Sequence, residues 1–165
     1  MSTLHTSRAE IYRALIEATA FGARRILDRI EEYGVKVEEV VNCGGIAEKN
    51  PMLMQIYADV LGRKMTVSAS SQTCALGAAI MAGVAAGAAV GGYCCAEEAQ
   101  KTLCTFKKKG YEPIPANQAV YNELYALYGE LHDSFGVKGT SFDHYAVMKK
   151  LLEIHRRVRS GAGAA

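Results

Sequence analysis

From Ile11 to Ile30 apolar residues recur in two lines, each spaced three or four positions apart. Ile11, Leu15, Ala18, Gly22, Ile26 and Ile30 form one, and Tyr12, Ile16, Thr19, Ala23 and Leu27 the other. That spacing is helical, and two adjoining lines make a wide face, packed against a sheet and other helices. Ser7-Arg8-Ala9-Glu10 has the form of a capping box and Gly34 is a stop, which predicts a helix from Ser7 to about Tyr33. Val35 to Val41 reads as a strand. A second helix from Pro51 carries Leu53, Ile56, Tyr57, Val60 and Leu61 inward and ends at Gly62. Lys64 to Val67 reads as a short strand, and the Ser68–Thr73 loop leads to a helix from Cys74 to about Ala86, where Gly77 and Gly83 would permit close helix–sheet approach. The order helix, strand, helix, strand, helix predicts an α/β layer with parallel strands.

The second half is patterned for helices alone. Gly87 to Gly92 is a flexible break, and Ala96 to Leu103 a short helix. Lys107-Lys108-Lys109 reads as a solvated turn, with phosphate contact as the alternative. Two prolines hold Tyr111 to Pro115 extended. Asn117 is expected to cap an amphipathic helix with Val120, Leu124, Leu127, Tyr128, Leu131 and Phe135 on one face, closed by Gly136. Ser141 opens a last helix with Tyr145, Met148, Leu151, Leu152 and Val158, and 161–165 reads as a disordered tail.

Half of the 165 residues are apolar and the net charge is +2, an ordinary globular profile with too little basic excess to argue for nucleic acid. No apolar run reaches the roughly 20 residues of a bilayer span, and the first residues do not form a signal peptide, so a cytoplasmic location is expected. Cys43, Cys74, Cys94, Cys95 and Cys104 are expected as reduced, mostly buried thiols. Neither they nor the four histidines show ligand spacing, so no protein-built metal site is expected. Asp59, Glu97 and Glu98 read as surface carboxylates on amphipathic helices, without a catalytic role.

The chemistry concentrates in Val40-Val41-Asn42-Cys43-Gly44-Gly45-Ile46-Ala47-Glu48-Lys49-Asn50-Pro51. An apolar run ends in a glycine pair, and an Asn-Pro step then opens a helix. Glycines let the chain turn sharply and let a flat ligand lie against the backbone. Asn50 suits an N-cap and Pro51 the first helical position. Strand, glycine turn and helix N-terminus are what a nucleotide-binding edge needs.

This block, with Ala58-Asp59-Val60-Leu61-Gly62 and Ala75-Leu76-Gly77-Ala78-Ala79, resembles the C-terminal domain of the FGGY carbohydrate kinases, and within them the ribulokinase branch. Arg13 to Phe21, Tyr121 to Phe135 and Val147 to Leu151 extend the resemblance along nearly the whole chain. It implies two-domain kinases of actin-like, ribonuclease-H-like fold that bind ATP and sugar between their domains. On that basis residues 1–92 form part of the nucleotide-binding α/β domain and 93–160 a C-terminal helical extension.

The resemblance puts Gly44 and Gly45 under the adenine as a flat ledge and Asn50 at its edge. Lys49 competes for that position because this turn is one residue longer than in the glycerol kinase branch; the Asn-Pro step favours Asn50. Asn50 as a plain N-cap stays open beside this role. The Asp-x-Gly-Thr phosphate loop and the catalytic Asp belong to the family's N-terminal domain, and no such loop occurs here. The chain is therefore expected to be the ATP-binding part of an L-ribulose kinase, inactive alone, with Mg²⁺ required by the complete enzyme. It is expected to self-associate or to pair with an N-terminal kinase half. Two alternatives stand beside this: a non-catalytic nucleotide-binding module, and a helical interaction module.

Overall fold

Ser7 caps the first helix as its pattern requires. In the computed structural model, which describes residues 6–162, helix α1 spans Arg8–Glu32. The Glu10 carboxylate accepts the Ser7 N–H at 2.7 Å and Ser7 Oγ accepts the Glu10 N–H at 3.3 Å. Gly34, at φ +85°, turns the chain out of the helix. Strand β1 is shorter than expected and covers Glu39–Asn42. Arg63 holds the residues before it, donating to the Val37 carbonyl at 2.7 Å and to Glu31 at 2.7 Å. That guanidinium, with the Val37 N–H, keeps the Glu31 carboxyl below the usual carboxylate range.

After β1 come helices α2 (Gly45–Lys49) and α3 (Pro51–Leu61), strand β2 (Lys64–Val67) and helix α4 (Thr73–Ala86). Helices α5 (Ala96–Leu103), α6 (Pro115–Gly136) and α7 (Val147–Ala162) complete the chain. A 3-10 turn, Ala88–Val90, stands in the expected flexible break, and another, His144–Ala146, precedes α7. The last helix runs through two residues of the expected tail, and 163–165 lie outside the described residues.

β1 and β2 pair in parallel, Glu39 opposite Lys64 and Asn42 opposite Val67. The outer edge of β2 is covered by the extended segment before α6. Met65 and Tyr111 exchange backbone hydrogen bonds of 2.9 and 2.8 Å, and the Lys107 N–H donates to the Val67 carbonyl at 2.8 Å. Among the described residues, nothing pairs with the outer edge of β1.

α3 is the centre of the molecule. One side packs with α1 and α6 through Ile16, Ala20, Phe21, Ile56, Val60 and Tyr121; the other packs Met54, Ala58 and Leu61 on Met65 and Val67 of the sheet. α1, α6 and β2 together bury its apolar face. Tyr121 was not on the expected α6 face. Its ring meets Phe21 edge-on at 6.2 Å, and its hydroxyl donates to Glu17 at 2.8 Å while accepting from Arg13 at 3.0 Å. Burial and the Glu17 carboxylate push this phenol up to about 12. Phe135, expected on the packed face, is 88% exposed, because the last turn of α6 overhangs the core.

Other expectations fail for related reasons. Asp59 is 2% exposed and not a surface carboxylate. One oxygen accepts the Ile114 N–H at 2.8 Å and Gln55 Nε2 at 2.9 Å, and the other accepts Asn117 Nδ2 at 2.8 Å. Asn117 thus reaches Asp59 from the third helical position, and Ile114 takes the N-cap before Pro115. A Cβ on Gly77 would meet nothing within 4 Å, so no close approach occurs there, whereas one on Gly83 would touch the Tyr93 ring at 3.1 Å, not the sheet. The thiols are not mostly buried: Cys43, Cys74, Cys94 and Cys95 are exposed, and Cys104 is half-buried. α4 is apolar throughout, yet only Ile80 on it is buried. Among the described residues no helix is long and apolar enough to cross a membrane.

Candidate functional site

Because the strands are parallel and in register, their carboxyl ends lie side by side. The turn after Asn42 and the loop after Val67 therefore leave the sheet at the same edge. Ligands of α/β proteins collect outside the carboxyl ends of such strands.

Gly44 and Gly45 differ in role. Gly44 has φ +93° and ψ 169°, a conformation essentially reserved for glycine. Gly45 is the first residue of α2, and a Cβ built on it would have no neighbour within 4 Å. Gly44 is thus required by the turn, and Gly45 faces open space. The short helix α2 was not expected; it replaces a plain turn between the glycines and Asn50. Ala47 anchors it to the core beside Met54 and Leu61, and Glu48 pairs with Lys107 at 3.2 Å. Lys107 is thus ion-paired and not simply solvated.

Asn50 caps α3 as expected, its Oδ1 accepting the Leu53 N–H at 3.0 Å. Its amide nitrogen donates to the Tyr12 hydroxyl at 3.4 Å. One of its two hydrogens remains available. Lys49 is exposed, and among the described residues no hydrogen bond or ion pair holds it.

In the second loop, Ser68 Oγ accepts the Ser70 N–H at 3.3 Å and Ser70 Oγ accepts the Gln72 N–H at 3.2 Å. These serines brace the loop but do not cap α4. Gln72 is the N-cap residue, and no side-chain hydrogen bond caps the helix. The first turn of α4 thus starts with no side chain capping its N–H donors.

The glycine turn and the uncapped helix start thus follow the carboxyl ends of a two-stranded parallel α/β element. The chain belongs to the FGGY family of carbohydrate kinases: residues 2–86 match the family's C-terminal domain. It is 50% identical over 158 residues to a ribulokinase from Halalkalibacterium halodurans, covering 96% of this chain and 28% of that protein. A ribulokinase from Mycolicibacterium smegmatis is 45% identical over 158 residues, covering 96% of this chain and 27% of the relative. Among solved structures, the xylulose kinase from Rhodospirillum rubrum superposes with a TM-score of 0.65 and 26% identity, over 81% of this chain and 26% of that enzyme. The chain thus corresponds to the C-terminal part of a sugar kinase and spans little more than a quarter of the ribulokinases it matches.

Proposed function

We propose that this chain is the nucleotide-holding part of an ATP-dependent kinase for L-ribulose, serving pentose (arabinose) catabolism in the cytoplasm. In this reading its sheet belongs to a larger actin-like, ribonuclease-H-like ATPase domain. The observation that carries the proposal is the pair Gly44–Gly45 at the carboxyl end of β1, with open space over Gly45. The adenine lies on that ledge. The remaining amide hydrogen of Asn50 meets its edge, and Lys49 stands near the nucleotide as a free cation. The uncapped start of α4, with Ser71 and Thr73, faces the phosphates. Mg²⁺ is held chiefly by phosphate oxygens and water in the complete enzyme, so no side chain of this chain is assigned to it. ATP fits these residues because base stacking needs a flat backbone and the phosphates need unpaired donors.

Gly45→Val tests the ledge. Nothing adjoins the new Cβ, so stability should change by no more than about 1 kcal/mol. Affinity for an ATP analogue, measured by calorimetry, should fall at least about tenfold, a difference of about 1.4 kcal/mol. Asn50→Ala should lose affinity and also about 0.5–2 kcal/mol of stability, because the cap on Leu53 goes with it. Wild-type affinity in Gly45→Val would place the nucleotide elsewhere.

The exposed faces support a partner. Ile11, Leu15 and Ile26 on one stripe of α1 are 46%, 62% and 64% exposed, and the outer edge of β1 is open. Open edges and broad apolar stripes seek cover. The chain should therefore self-associate, or be soluble only when paired with an N-terminal kinase half. Light scattering over a concentration series checks this, and a monodisperse monomer throughout would show that no cover is needed.

A further inference from the structure

The loop between the 3-10 turn and α5 carries a cluster that the nucleotide reading does not use. We propose that Cys94, Cys95 and Glu98 form a binding site for a thiophilic divalent cation of the zinc class, built by one chain. The ligand-bearing atoms of the three residues lie within 4.8 Å of one another, and all three residues are exposed. The two sulfurs are 3.7 Å apart. Two thiolates bound at about 2.3 Å to a tetrahedral zinc stand about 3.8 Å apart, so the sulfurs already span one edge of the coordination tetrahedron. A carboxylate oxygen in the same tetrahedron stands about 3.5 Å from each sulfur, which a rotation of Glu98 supplies.

The local fold holds this arrangement. Cys95 is the N-cap residue of α5 in extended conformation, φ −155° and ψ 166°. Extended backbone ordinarily sends neighbouring side chains to opposite sides, yet here the bend into α5 brings the two sulfurs together. Glu98 sits one turn into the helix and accepts the Cys94 N–H at 3.0 Å, so its carboxylate is tethered over the sulfurs. Glu97 adds a second negative charge to the same turn. Neighbouring cysteines carry no Cys-x-x-Cys spacing, so the sequence pattern expected no metal site; the helix start assembles one. Water would complete the coordination, since three protein ligands leave the fourth position open.

The site is tested on the whole chain under reduction by a phosphine. Cys43, Cys74 and Cys104 are replaced by Ser so that the remaining thiols are Cys94 and Cys95. Cd²⁺ titration should give thiolate-to-metal charge-transfer absorption that saturates at one ion per chain, and Zn²⁺ should bleach it by displacement. Cys94→Ser or Cys95→Ser should abolish the saturable band. Glu98→Gln should weaken Zn²⁺ about tenfold or more, no less than the loss of an outer-shell partner costs. Circular dichroism should be unchanged in each variant, because all three positions are exposed. Saturation at one metal per two chains, undiminished binding in Cys94→Ser, or wild-type affinity in Glu98→Gln would overturn the one-chain, three-ligand site.

Discussion

These 165 residues by themselves should release ADP from Mg-ATP no faster with L-ribulose than without it. Phosphoryl transfer depends on positioning and on charge stabilisation from both walls of a closed cleft. On the proposed reading this chain offers one wall: a glycine ledge, one amide donor, an exposed lysine and an open helix start. A base must also take the proton from the sugar hydroxyl. Asp59, the buried carboxylate beneath this half of the molecule, has its oxygens engaged by Ile114, Gln55 and Asn117 and is turned toward α6. The Asp-x-Gly-Thr loop that the family resemblance assigns to the other wall does not occur in the sequence. A coupled assay for ADP release checks this, with a fragment carrying the rest of a ribulokinase added back in parallel. Turnover only in the mixture is the expected result. Sugar-dependent turnover by the pure chain would overturn the assignment of the base and phosphate loop to another part of the enzyme.

Asp59→Ala should be among the most destabilising single changes, at about 3 kcal/mol or more. The carboxylate satisfies the backbone N–H of Ile114 and the side-chain amides of Gln55 and Asn117. A buried donor left unsatisfied costs about 1–3 kcal/mol, and these three part-buried bonds lie at the low end of that range. Because Ile114 is the N-cap residue of α6 and Gln55 also donates to the Glu112 carbonyl at 2.9 Å, the loss loosens the docking of α6 on α3. Asp59→Asn should be milder, since the retained carbonyl can still accept the Ile114 N–H. Glu97→Ala, on the exposed face of α5, should stay within about 0.5 kcal/mol. Urea unfolding reads these differences as shifts of the midpoint at constant slope. Equal stability of Asp59→Ala and Glu97→Ala would show that the α3–α6 junction does not depend on this carboxylate.

Fold and site were legible to different depths. The capping box at Ser7, the start at Asn50-Pro51, the stop at Gly62 and the strand Lys64–Val67 stand where their residues put them. Each is a local rule: an oxygen reaching an N–H three residues on, a proline in the first turn, or a glycine in the left-handed region. α2 escaped because five residues beginning in glycine are too short for a helical period to declare itself. The glycine turn was readable as a turn, but the division of labour within it was not. A Cβ on either glycine would meet nothing within 4 Å, so only the backbone angle separates Gly44, which the turn requires, from Gly45.

By itself, then, the sequence determined the order of the longer elements, the parallel sense of the strands and the family, because these follow from short-range periodicity, caps and motif spacing. The tertiary structure decided what each face meets. It turned Asp59 inward, because the distant donors of Ile114 and Asn117 converge on it, joined by Gln55 one turn before it on α3. It placed Tyr121 rather than Phe135 in the core, because the near part of α6 lies on α1 and α3 while its end overhangs. It laid residues 105–111 along β2 and left the outer edge of β1 open. It brought two neighbouring sulfurs and a carboxylate together at the start of α5. Such facts depend on residues far apart in the chain or on the course of the backbone. A periodic pattern names a face, and only packing supplies its neighbour.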